Sequence, residues 1–194
     1  MKLTVLTSPK KIMGEYNTIY TLFDLGLETL HVRKPDFDKK QVSNFINVLP
    51  VSYRDKIILH GHPDLVVKYN LKGLHHTSNS HYIHDLGDHF IQTKAFHSLE
   101  EISSNKYPYE YAFLSPIFNS ISKPDYKSPF SLQEVKEVVE KSSIPIYALG
   151  GINETTIQQL QGTSIAGVGI LGAIWETIIF SKLTDTFKKL LKSC

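Results

Sequence analysis

The chain has 194 residues, enough for one domain with a substantial core or for two small ones. Its 41% hydrophobic and 21% charged content is that of a folded water-soluble protein, and a net charge of +2 with scattered Lys and Arg argues against nucleic acid as the main partner. The one cysteine, Cys194, excludes an intrachain disulfide, and with no apolar run long enough to cross a bilayer the expected location is the cytoplasm.

Short apolar runs alternate with helical patterns along the whole chain. Strands are predicted at 3–7 (LTVLT), 28–32 (ETLHV), 56–60 (KIILH), 72–75 (KGLH), 89–93 (HFIQT), 110–114 (EYAFL), 144–149 (IPIYAL) and 165–170 (IAGVGI). They lack strict polar alternation, as strands covered on both faces of a parallel sheet do. Helices are predicted between them at 15–25, 37–49, 63–70, 98–104, 131–142, 153–161 and 173–192, while 76–88 carries no clear pattern. The signal is clearest at 131–142, where Ser131 and Glu134 form a capping box and Leu132, Val135, Val138 and Val139 one apolar stripe. The stripe of the last helix (Ile174, Ile178, Ile179, Leu183, Phe187, Leu190 and Leu191) is read as packing on its own domain rather than on a membrane or a partner.

Eight strands alternating with helices specify the α/β class, either as a closed (β/α)8 barrel or as an open doubly wound sheet. A barrel of this length needs short loops. No linker composition interrupts residues 1–194, which read as a single domain. The exception to short loops is 115–131 (SPIFNSISKPDYKSPFS). It follows a strand, and a barrel's active site is built on that carboxyl face.

Glycines mark two neighbouring strand ends. Gly150-Gly151 closes strand seven, and Gly167, Gly169 and Gly172 surround the end of strand eight. Such glycines let backbone N–H groups approach a phosphate, or they merely permit tight turns and close helix packing; the two pairs together favour the phosphate. His31, His60 and His75 fall at the ends of strands two, three and four, with His62, His76 and His97 close by in sequence. A metal set such as His60, His62 and His75 competes with plain ligand contact or satisfied hydrogen bonding. The second reading is preferred, because no carboxylate or cysteine stands at a matching strand end and adjacent strand positions face opposite sides. Arg33-Lys34 after strand two, and Ser120, Ser122 and Lys123 in the long loop, combine cations with hydroxyls in the manner that suits a diphosphate.

These pieces, in this order, resemble the thiamine phosphate synthase and TenI family of small (β/α)8 TIM barrels. The matching stretches are GLETLHVRKPD (26–36), KGLHH (72–76), AFHSLEE (95–101), SPIFNSISK (115–123), YALGGIN (147–153) and GVGILGAI (167–174). The resemblance implies a transferase that joins hydroxymethylpyrimidine diphosphate to thiazole phosphate and releases diphosphate. It places Arg33, Lys34, Ser120, Ser122 and Lys123 on the diphosphate, and Gly150, Gly151, Leu171 and Gly172 on the thiazole phosphate. Arg33, Lys123 and His75 are the candidate catalytic residues, and a homodimer is the family-level expectation.

Three departures stand out. Where the family reads Gln-x-Arg-x-Lys, this chain has His31-Val-Arg33-Lys34-Pro35. The strand-three Asn-Asp is His60-Gly61, and His-x-Gly-Gln-x-Asp after strand four is His75-His76-Thr77-Ser78-Asn79-Ser80. Both magnesium aspartates are thus replaced, near Gly61 and Ser80. No protein metal ligand is assigned, and Mg2+ is expected only as an ion carried by the substrate and held weakly by the protein. The alternatives are a TenI-like thiazole tautomerase using a histidine and a non-catalytic binder of thiazole or thiamine phosphate. The tautomerase branch carries its histidine in the strand-six loop, where this chain has Pro116.

Overall fold

Alternating short strands and helices close here into a ring. The computed structural model describes residues 1–78, 80–119, 128–176 and 180–194 (for Phe180 and Ser181 the backbone only). Strands β1 (Lys2–Leu6), β2 (Leu30–Val32), β3 (Ile57–His60), β4 (Gly73–His76), β5 (Ile91–Phe96), β6 (Tyr111–Leu114), β7 (Ile146–Leu149) and β8 (Gly167–Ile170) form one closed barrel in chain order. All eight pairings are parallel, and β1 pairs with both β2 and β8, so the barrel replaces the doubly wound alternative. The helices are α1 (Glu15–Asp24), α2 (Lys39–Val48), α3 (Pro63–Tyr69), α4 (Leu99–Ser103), α5 (Leu132–Val139), α6 (Gly172–Trp175) and α7 (Phe180–Ser193).

Side-chain alternation divides the apolar residues into two layers. Val5, Leu30, Val32, Leu59, Leu74, Ala112, Ile146 and Val168 point outward and pack under the helices. Leu6, Ile58, Tyr111, Phe113 and Tyr147 fill the barrel itself. Large rings in so small a barrel need room opposite them, and β8 supplies it. A Cβ on Gly167 would stand 2.6 Å from the Tyr147 ring, and one on Gly169 2.8 Å from Phe113. These two glycines are therefore explained by core packing alone.

The capping box predicted at Ser131 is formed: its side chain accepts from the backbone of Glu134, whose carboxylate accepts in return from Ser131 N–H. A second box, Asp38 with Gln41, starts α2. Each such cap contributes on the order of 1 kcal/mol. The helix expected at 153–161 is instead a 3₁₀ turn over Thr156–Leu160. Asn153 Oδ1 accepts from the N–H groups of both Thr155 and Thr156, and Gly162 at φ 78° ends the turn before an α-helix develops. A second 3₁₀ segment, Val51–Lys56, leads into β3. The last helix is divided into α6 and α7, and the intervening 177–179 lie outside the described residues. No helix among the described residues is long and apolar enough to cross a membrane.

Candidate active site

A cavity of about 520 Å³ opens at the carboxyl ends of the strands. Its walls come from nearly every strand end: Leu6, Arg33, His60, His75, His97, Ser115, Pro116, Gly150, Gly151, Leu171 and Gly172 all line it. The sequence places those residues within a few positions of each strand's last residue, and closure of the barrel makes them converge.

The floor is built of imidazoles. His60 and His75 are register partners on β3 and β4, and their rings stack 4.0 Å apart. His31 lies beneath them, fully buried, with its Nδ1 3.1 Å from His60 Nε2 and its Nε2 2.5 Å from the Tyr111 hydroxyl. His75 Nδ1 meets Thr93 Oγ1 at 2.9 Å. Burial drives all three imidazoles toward the neutral form. It holds His31 and His60 well below the usual 6.5, each also repelled by His75, and pushes His75 down to about 3 with help from His76, Lys94 and Arg33. Burial likewise raises the Tyr111 phenol well above 10, so it stays protonated. Thr93, Tyr111 and Tyr147 carry no motif that would single them out in the sequence. What they share is an inward strand position beside a histidine or another ring. His62 stands apart from the cavity, as the left-handed residue that precedes α3.

The two cations after β2 part company. Arg33 is exposed, lines the cavity and has no carboxylate partner among the described residues. Its backbone is clamped by Thr7, whose hydroxyl accepts from Arg33 N–H at 2.9 Å and donates to Arg33 O at 3.1 Å. Lys34 does not reach the cavity, contrary to its predicted place on the diphosphate. Its Nζ donates to Glu15 at 2.6 Å, to Ser8 O at 2.8 Å and to Lys10 O at 3.1 Å, which uses all three ammonium protons. The pair is almost wholly buried, and Phe37 and Phe45 pack their rings 5.5 and 5.0 Å from the ammonium. Burial raises the Glu15 carboxyl and lowers the Lys34 amine, while their mutual attraction opposes both shifts.

The glycine rim has a structural cause beside any ligand. Gly150 and Gly151 have φ of 98° and 67°, and the segment after β6 lies directly on them. A Cβ on Gly150 would come within 3.0 Å of Pro116, and one on Gly151 within 2.5 Å of Asn119 O. Backbone hydrogen bonds from Ile117 N–H to Leu149 O and from Phe118 N–H to Gly150 O seal that contact. Leu171 and Gly172 face the same cavity from the end of β8 and the start of α6. The sequence reading set a phosphate against backbone packing as the cause, and packing accounts for both missing side chains.

No Asp or Glu lines the cavity among the described residues. Gly61 and Ser80, near which the resemblance expects carboxylates, are already engaged in hydrogen bonds within the protein. Gly61 N–H donates to His75 O, and Ser80 Oγ donates to Thr77 O. Lys94, on β5, donates to the carbonyls of Thr77 and Ser80 at 2.9 Å each, so that loop already holds a cation. These donors do not fit a protein-held Mg2+, which wants carboxylate oxygen in near-octahedral array. Ser120, Ser122 and Lys123 lie outside the described residues.

The comparisons agree with this architecture. The family profile described as thiamine monophosphate synthase matches residues 3–174, and the chain belongs to that family. Among curated relatives, the thiamine-phosphate synthase of Caldicellulosiruptor bescii is 25% identical over 97% of this chain and 90% of its own. That of Clostridium novyi is 26% identical over 77% of each. Among solved structures, the thiamine phosphate pyrophosphorylase of Bacteroides thetaiotaomicron superposes with a TM-score of 0.84 at 30% identity, covering 100% of this chain and 97% of that one.

Proposed function

We propose that the chain is a synthase-type transferase that joins hydroxymethylpyrimidine diphosphate to thiazole phosphate. The observation that supports this is one cavity lined both by Arg33, unpaired with any described carboxylate, and by Gly150, Gly151, Leu171 and Gly172, residue types suited to binding anions. Family membership supplies the reaction class.

In the reaction, the C–O bond between the pyrimidine methylene and the diphosphate breaks, and its electron pair leaves with the diphosphate. The lone pair of the thiazole nitrogen then forms the C–N bond, giving a thiazolium product with no proton gained or lost. Arg33, with Ser120, Ser122 and Lys123, holds the charge that grows on the departing diphosphate, where preorganised donors act most strongly. The glycine rim holds the thiazole phosphate. His75, kept neutral by burial, adds no charge to this site. No step is assigned to protein-bound Mg2+, since the cavity offers no carboxylate for it.

The test is to supply both substrates and follow thiamine phosphate. Formation above background supports the transferase, and Lys123→Ala should then cut turnover severely. Absence of product refutes it. Conversion of the non-aromatic thiazole tautomer alone would identify the isomerase instead, and tight phosphate-ligand binding without either turnover would identify the binder.

A further inference from the structure

His31, His60 and His75 bring one ring nitrogen each within 4.8 Å of the other two; His60 and His75 line the cavity and His31 is buried beside them. We propose that these three imidazoles form a binding site for a nitrogen-preferring divalent transition ion such as Zn2+, with its open coordination position facing the cavity. An all-imidazole set selects zinc, cobalt or nickel over magnesium.

The second ring nitrogen of two of the histidines is already committed in the way metal-bound imidazoles require. His31 Nε2 is held by the Tyr111 hydroxyl; as the Nε2–H tautomer, the form the site requires, His31 donates to that oxygen and keeps its Nδ1 lone pair toward His60. His75 donates its Nδ1–H to Thr93 Oγ1, which leaves Nε2 for the ion. In the metal-free protein a proton bridges His31 Nδ1 and His60 Nε2 across 3.1 Å. On binding, that proton resides on His60 Nδ1 and the ion takes its place, so no net proton is released. Zinc bonded tetrahedrally to nitrogen at about 2.1 Å needs ligand atoms about 3.4 Å apart. The His31–His60 pair lies near this at 3.1 Å, and binding requires the partly exposed His60 ring to turn out of its stack on His75 so that both lone pairs reach the ion. Three protein ligands with one open site is the arrangement of a Lewis-acid centre rather than a structural one. Burial keeps the rings unprotonated and ready to ligate near neutral pH.

Metal binding stands on the three rings alone; its use against a phosphorylated ligand rests on the proposed transferase. The full chain is stripped with a chelator and titrated with Co2+. The expected result is a visible d–d band that saturates at one equivalent, is bleached by Zn2+ and is unaffected by Mg2+. His60→Ala and His75→Ala should abolish the band, the surface variant His89→Gln should retain it, and Tyr111→Phe should weaken binding roughly tenfold to a hundredfold. Circular dichroism of each variant confirms that it is folded. No saturable band, or a band that survives in both His60→Ala and His75→Ala, overturns the site and leaves the transferase reading untouched. With the Co2+ protein, inorganic diphosphate should shift the band by taking the open position. An unchanged band overturns the use of the ion but not its binding.

Discussion

Arg33 and Lys34 are adjacent in sequence and serve different parts of the molecule. Lys34→Met strands the buried Glu15 carboxylate and is expected to cost about 3–5 kcal/mol, measured as a lower urea midpoint. Adding Glu15→Leu should restore most of that loss, because the desolvation cost of both ions is removed together. A Lys34→Met protein with a normal midpoint and lost turnover would mean that the lysine holds substrate. Arg33→Ala has the opposite signature. Its side chain is exposed, so stability should change by less than about 0.5 kcal/mol. Loss of a donor to the leaving group should lower kcat/KM roughly a hundredfold. The sequence alone grouped both cations on the diphosphate. Nothing local distinguishes them, since the strand–loop boundary aims one outward and one toward α1, and Glu15 lies far back in the chain.

At the scale of elements, the rim after β7 is locked to the segment after β6. Gly151→Ala forces a β-carbon to within 2.5 Å of Asn119 O at a backbone φ of 67°. Strain at that φ alone costs about 1–3 kcal/mol, and displacement of residues 116–119 should raise the KM for thiazole phosphate as well. Gly61→Ala is the control. Its φ is similar at 71°, yet the nearest atom is Thr77 Cγ2 at 3.8 Å. Only that same backbone cost of about 1–3 kcal/mol should appear in its melting curve. Equal losses in the two variants would show that the contact with Asn119 is immaterial. Strand positions, the capping box at Ser131 and the β–α alternation were legible in the sequence, because they depend on neighbours a few residues apart. The contact of Gly150-Gly151 with Pro116 and Asn119 was not, since it joins segments some thirty positions apart.

Across the whole molecule, the imidazole floor sets the response to acid. In the unfolded chain these histidines take up a proton near pH 6.5, whereas the folded barrel keeps His31 and His60 neutral well below that value and His75 neutral to about 3. Their folded-state pKa values are depressed, so their stability is fully present above pH 6.5 and is lost progressively as pH falls from there toward 3. Metal-free protein should therefore unfold in acid with an uptake of about three protons at pH 5, read from the pH dependence of the urea midpoint. A flat midpoint between pH 7 and pH 5 would show that the rings are not buried as described. His31→Gln should remove about one proton from that uptake.

By itself the sequence determined the β–α alternation, because hydrophobic periodicity and capping are local properties read along the chain, and its ordered motifs gave the resemblance that implied the barrel. Only the tertiary structure decided which of the singled-out side chains meet. Inward positions on β2, β3 and β4 are far apart in sequence, and ring closure brings their three histidines together beside Tyr111, while Lys34 turns away to Glu15. Which side chains meet depends on strand register and on what lies across the barrel, and neither quantity is written in any one segment.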